Sequence, residues 1–203
     1  MTDSRLKSPK VFGIGFHKTA TTSLAEALTM LGYKVTGPNG IDNPNIGQEA
    51  WTMAVKLAAQ FDAFQDNPWP ILYRQLDEKF PRSKFILTLR PTHEWLRSIV
   101  RHFGVEETPM RRWIYGEGHP SGHEDVYAAR YDQHNREVVA YFKNRPQDLL
   151  VMDITSGDDW EKLCPFLHAA IPDFPFPQAN TAIQRESKRG PFARLLKTIT
   201  GGS

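Results

Sequence analysis

A three-layer α/β fold, with a central parallel sheet and helices on both faces, is what this sequence predicts. Apolar segments of strand length recur along it, and stretches of helical period separate them; that alternation builds parallel sheets with crossover helices. The chain's 203 residues suit one ordinary domain with a sizeable core, so 1–203 reads as a single unit. No internal repeat or low-complexity tract interrupts it.

The first strand is "VFGIG" (11–15), and Leu24, Leu28 and Leu31 mark the next helix at i, i+4, i+7. Trp51, Val55 and Ala58 keep the same rhythm ahead of a short second strand, "FDAFQD" (61–66). The third strand is "KFILTL" (84–89), followed by Trp95, Ile99 and His102 on one helix face. "DLLVMDI" (148–154) is the fourth, with Trp160, Leu163 and Leu167 after it. Sheets of this kind hold ligands beyond the carboxyl ends of their strands, so the residues just past each strand carry the chemistry. Residues 104–123, with several glycines and few periodic apolars, read as a surface excursion, the place for an acceptor-side cap or lid.

Charge and composition exclude several classes. A net charge of +2 argues against a general nucleic-acid binder. The charge is uneven: in 181–203 Arg185, Lys188, Arg189, Arg194 and Lys197 face Glu186 alone, leaving that tail at +4 and the rest at −2. Such a basic tail is either a solvated end or an element that closes over an anionic ligand. "MTDSRLKSPK" has no signal-peptide core, and no apolar run approaches the roughly 20 residues that span a bilayer. A cytoplasmic protein with no membrane partner is the expectation. The single cysteine, Cys164, excludes an internal disulfide and reads as a buried thiol.

The loop after the first strand is the most informative stretch. Residues 15–22 are Gly-Phe-His-Lys-Thr-Ala-Thr-Thr. An ATP-type loop has Gly, four residues, Gly-Lys, then Ser or Thr. On that frame Ala20 replaces the second glycine, Thr21 replaces the lysine, and Lys18 comes three positions early. Capping a helix needs one hydroxyl, whereas Thr19, Thr21, Thr22 and Ser23 supply four beside a lysine. Free N–H groups at a helix N-terminus point at an anion, which favours an anion site over plain capping.

Here the chain resembles a known family. "GFHKTATTSL" is similar to the 5′-phosphosulfate loop of the sulfotransferases that use 3′-phosphoadenylyl sulfate (PAPS), except that Ala20 stands where glycine is usual. The resemblance implies a P-loop NTPase-like fold in which His17, Lys18, Thr19, Ala20, Thr21, Thr22 and Ser23 form the 5′-phosphosulfate loop. "KFILTLRPTHEWLRSIV" carries a second likeness: in the family a strand-ending arginine and a serine eight residues later contact the 3′-phosphate. These are Arg90 and Ser98, about two helical turns apart. An arginine at a helix N-terminus opposes the helix dipole, so a bound anion accounts for it better than a surface role does. "YDQHNREVVAYFKNRPQDLLVMDI", "DDWEKLCPFLH" and "FPFPQAN" extend the resemblance to nearly the whole chain. Lys188, Arg189 and Gly190 are similar to a step that closes on the 3′-phosphate.

The resemblance implies transfer of a sulfuryl group from PAPS to a hydroxyl or amine of a small-molecule acceptor, leaving adenosine 3′,5′-bisphosphate. Lys18 would neutralise the leaving phosphate, with no metal expected. A base must take the acceptor's proton. Asp66 of "FQDNPWP" stands where cytosolic members carry histidine; its other reading is a cap on the helix starting near Trp69. His17, Glu26, His93 and His102 are the competing bases. His119, His123 and Glu124 permit a zinc reading that a plain surface loop outweighs, and His134 reads as packing or bonding within its helix. Trp69, Phe103, Trp113 and Tyr115 either line an acceptor pocket or fill the core. The alternative functions are a small-molecule P-loop kinase and a catalytically silent nucleotide binder.

Overall fold

In the computed structural model, which describes residues 9–179, five short strands form one all-parallel sheet in the order β2-β3-β1-β4-β5. Along the chain the elements are β1 (Val11–Gly13), α1 (Thr21–Met30), β2 (Val35–Thr36), α2 (Ile46–Ala58), β3 (Ala63–Phe64) and α3 (Tyr73–Lys79). There follow β4 (Lys84–Thr88), α4 (Thr92–Phe103), α5 (Pro109–Tyr115), α6 (Glu124–Phe142), β5 (Leu149–Met152) and α7 (Trp160–Leu167). Short 3-10 turns lie at Trp69–Leu72 and Ile154–Ser156.

Strand alternation divides the core in two. Val11, Ala63, Ile86 and Met152 point to the face covered by α1 and α7, where Leu24, Leu28, Trp160 and Leu163 meet them. Their neighbours Phe12, Phe64, Phe85 and Leu87 point to the opposite face, under α2 to α6. Phe12 stacks on Phe64 at 5.0 Å and on Phe85 at 5.4 Å. Each of these fully buried rings contributes about 1.5–3 kcal/mol by leaving water. The three-layer α/β architecture expected from the sequence is thus the one observed.

The strands are shorter than their apolar runs. β1 ends at Gly13, yet Ile14 still donates to the Ile86 carbonyl at 2.8 Å, so "IG" leaves the sheet along β4. Gly15 makes that exit possible: a Cβ on it would lie 2.0 Å from the Thr88 hydroxyl oxygen. β2 has no counterpart in the apolar pattern. It is a two-residue edge strand, recognised through its bonds to β3, such as Gln65 N–H to the Thr36 carbonyl at 3.1 Å.

Residues 104–123 differ from the expected excursion. They contain α5, whose Met110 and Ile114 are buried at i, i+4, as are Arg111 and Tyr115. Thr108 caps it by accepting the Arg111 N–H, and Pro109 opens it. The chain reverses direction across β1, going out to β2 and β3 and then returning to β4. That switch point puts the carboxyl ends of β1, β3 and β4 around one crevice.

Candidate active site

A pocket of about 490 Å³ opens at this crevice. Lys18 and Ala20 line it from the loop after β1, Thr21 and Thr22 from the start of α1, Asp66 and Asn67 from the exit of β3, Arg90 from the exit of β4 and Ser98 from α4.

The loop's shape comes from two left-handed residues and one buried hydroxyl. Lys18 and Ala20 have φ of 66° and 65°. Between them Thr19 donates to the Phe16 carbonyl and shares a hydrogen bond with the Thr88 hydroxyl, each at 2.6 Å. Ala20 therefore takes the backbone conformation a glycine would adopt freely, at roughly 1–2 kcal/mol of local strain. It stands at the N-cap of α1, which has no side-chain cap and no acidic residue in its first turn. Among the described residues no side chain partners the first N–H groups of that helix or its dipole.

The seven loop residues are not equivalent. Thr22 is exposed to the pocket, and Thr21 donates to Asp66 Oδ2 at 2.8 Å. Thr19 and Ser23 face away from it: the first anchors the loop, and the second accepts the Ala179 N–H at 2.9 Å. His17 is buried, with Asn67 Nδ2 at 2.9 Å from its Nδ1 and the Tyr115 hydroxyl at 3.1 Å from its Nε2. The amide N–H makes Nδ1 the acceptor and leaves the proton on Nε2. Burial first, then the charges of Arg111, Lys18 and His102, lower its pKa to about 3. A histidine so hard to protonate positions its neighbours and is a feeble base.

Asp66 sits in the left-handed region, φ 61°, directly after β3. Its Oδ1 accepts the Asn67 N–H at 2.7 Å. Burial pushes the carboxyl above the usual aspartate range, against the opposing pull of Asn67, Thr21 and Lys18. The turn at Trp69–Leu72 has no side-chain cap among the described residues; Asp66 meets it through its carbonyl, which accepts the Trp69 N–H at 3.1 Å. The carboxylate is thus not a cap and is aimed at Thr21. Of the competing bases, His17 and His102 line the pocket, and Glu26 and His93 do not.

Arg90 is held at its backbone by Tyr131, whose hydroxyl accepts the Arg90 N–H and donates to the Arg90 carbonyl, both at 2.9 Å. Its guanidinium rests on Glu94, with Nε and Nη2 each 3.3 Å from Oε2. The helix-start arginine therefore has a protein partner at i+4, which offsets the unfavourable dipole. Trp95, between Arg90 and Ser98 on α4, donates to the His17 carbonyl at 2.9 Å and ties α4 to the loop.

Several residues escape the sequence reading. Arg111, Thr108, Met110, Ile41 and Asn67 all line the pocket. Thr108-Pro109 was the readable signal, a capping residue followed by proline at the first helical position. Phe103 lines this pocket, and Trp69, Trp113 and Tyr115 do not. Trp69 is in the core, Tyr115 is buried against His17, and Trp113 borders a separate groove. His134 Nε2 donates to the Ile14 carbonyl of the β1 exit at 2.8 Å and not within its own helix. The His119 and His123 rings lie 4.9 Å apart and tilted at 43°, and no group of three metal-ligating side chains forms among the described residues. Lys188, Arg189 and Gly190 lie outside the described residues. Among the described residues no helix is long and apolar enough to cross a membrane.

Parallel order, switch point and glycine-led loop define a P-loop-like α/β protein. The chain belongs to the sulfotransferase domain family, whose profile matches residues 10–120 and 108–184. No curated protein matches it.

Proposed function

We propose that this chain transfers a sulfuryl group from PAPS to a hydroxyl or amine of a small-molecule acceptor. One observation carries the reading: two anion-suited ends share a single pocket. At one end are Lys18, Thr21 and Thr22 at the uncapped N-terminus of α1; at the other are Arg90 and Ser98. A nucleotide with groups on both 5′ and 3′ positions has that pattern of charge. These residues fit it, since N–H groups, hydroxyls and cations are what phosphate and sulfate oxygens accept from. When bound, the donor supplies an SO₃ group whose departure leaves negative charge on the bridging oxygen.

Lys18 then neutralises that developing charge, the largest stabilisation such a transfer needs. Thr21 orients Asp66 through the 2.8 Å hydrogen bond. Asp66 receives the acceptor's proton; burial makes it a stronger base than a solvated carboxylate, while the Asn67 N–H, the Thr21 hydroxyl and Lys18 pull the other way. His17 holds the loop and α5 in register, its ring bonded to Asn67 on one side and Tyr115 on the other.

Calorimetric titration with adenosine 3′,5′-bisphosphate and with Mg-ATP tests the reading. Binding of the bisphosphate without metal, tighter than Mg-ATP, is the expected result. Preference for Mg-ATP would point to a kinase, and bisphosphate binding without turnover on any acceptor would point to a silent binder.

A further inference from the structure

Arg111 is a buried cation with no counter-charge among the described residues. It is 4% exposed, yet no carboxylate pairs with it among the described residues. Its Nε donates to the Gly118 carbonyl at 3.0 Å, its Nη2 donates to the Glu106 carbonyl, and its guanidinium lies 4.4 Å over the Phe103 ring. Two dipoles and a ring face compensate a buried guanidinium only in part, because it has five N–H donors and a full charge. Arg111 also borders the pocket.

The wall around it is part apolar, with Thr108 and His102 as its polar members. Ile41, Phe103 and Met110 line the pocket with it, and the Met110 N–H donates to the Ile41 carbonyl at 3.2 Å, which joins α5 to the loop before α2. The wall adjoins the reacting groups through His17, bonded to Asn67 beside Asp66 and to Tyr115 on α5. Lys18 and Arg90 are already assigned to the donor, so Arg111 remains as a cation for something else.

We infer that the acceptor carries an anionic group, a carboxylate or its like, on an apolar body, and that Arg111 receives that group. The inference rests on the sulfotransferase reading, which assigns the rest of the pocket to the donor. Ile41, Phe103 and Met110 hold the apolar body, and the guanidinium fork takes the anion. Arg111 is thereby a specificity residue: it selects the acceptor and leaves proton transfer to Asp66.

The test uses the full chain saturated with adenosine 3′,5′-bisphosphate and matched probes: phenylacetate against phenylacetamide, and 3-phenylpropanoate against 3-phenylpropanamide. Calorimetry should find the acid bound about tenfold more tightly than its amide, the size expected of one charge-assisted contact. Arg111→Met should bring acid and amide within about twofold, and Arg111→Lys should keep part of the preference. Bisphosphate affinity should stay unchanged in both variants, which separates lost specificity from lost fold. No pair in which the acid wins, or a preference that survives Arg111→Met, would overturn the inference. So would inorganic sulfate binding as tightly as the acids, since Arg111 would then serve the transferred group. If the Met variant does not fold, the wild-type acid–amide comparison and the Lys variant still decide. Failure of the bisphosphate itself to bind is a different result and removes the functional reading beneath the inference.

Discussion

Tyr131→Phe tests whether the β4 exit is a prepared anion site or an ordinary turn. The ring is 1% exposed and stacks on Trp95 at 4.1 Å, so phenylalanine keeps its packing and loses only the hydroxyl. That hydroxyl makes two hydrogen bonds, to the N–H and to the carbonyl of Arg90, both at 2.9 Å. At about 0.5–1.5 kcal/mol each, their loss destabilises the chain by roughly 1–3 kcal/mol. For a chain of this size, that lowers Tm by about 2–12 °C, with 4–8 °C the central expectation. A freed Arg90 backbone also loosens the guanidinium, forfeiting part of a contact worth roughly 1.5–3 kcal/mol. Affinity for adenosine 3′,5′-bisphosphate should therefore fall about five- to tenfold, while 5′-AMP, which lacks the 3′-phosphate, should lose less than twofold. Differential scanning fluorimetry and calorimetry read the two effects separately. A lowered Tm with unchanged bisphosphate affinity would refute the assignment of Arg90 to the 3′-phosphate.

Four further outcomes are expected. Asp66→Asn keeps a group able to meet both Asn67 and Thr21; it should lower turnover about 10²–10⁴-fold, and turnover within twofold of wild type would exclude Asp66 as the base. Because burial raises the Asp66 pKa, its charged form opposes folding above that value, so the Asn variant should be the more stable at neutral pH. The difference should close as pH falls into the ordinary aspartate range, as denaturant titrations across pH would measure. Ala20→Gly relieves about 1–2 kcal/mol of strain at φ 65° but frees the unfolded chain by about 0.4–1, a net gain near 0.8 kcal/mol; a lowered Tm would refute it. His17 and His134 are held at about 3 and about 4, against ~6.5 unfolded, so below ~6.5 the unfolded chain takes up protons that the folded one refuses. Stability should fall with pH through that window, by about 2.5 kcal/mol per unit near pH 5 for the pair, and His134→Gln should roughly halve that slope.

The layers were legible because the strands that carry them are buried runs. "KFILTL" and "VFGIG" read as strands from apolarity alone, and the loop between the first strand and helix is local in sequence. β2 was not legible: two residues at the sheet edge, half exposed, show no period. The site divides along the same line. Lys18, Thr21, Thr22, Arg90 and Ser98 follow their strands directly, and the switch point gathers them. Arg111 reaches the same pocket from 21 residues past Arg90, through a helix hidden in a glycine-containing stretch, and nothing in its neighbours' sequence says which wall it faces. The capping role weighed for Asp66 failed because the carboxylate turns to Thr21, 45 residues away in sequence, a contact no local pattern encodes.

Gly15 and Thr88 bear on what could be moved. The loop is contiguous in sequence, yet its bend is fastened to β4: Gly15 lies against Thr88 where any side chain would collide, and Thr19 shares a 2.6 Å hydrogen bond with the Thr88 hydroxyl. "GFHKTATTSL" grafted onto another strand–helix unit would arrive without the surface that shapes it. A transplant would have to carry the neighbouring strand as well, with threonine at its last position, so the smallest portable unit is two adjacent strands and the turn between their ends.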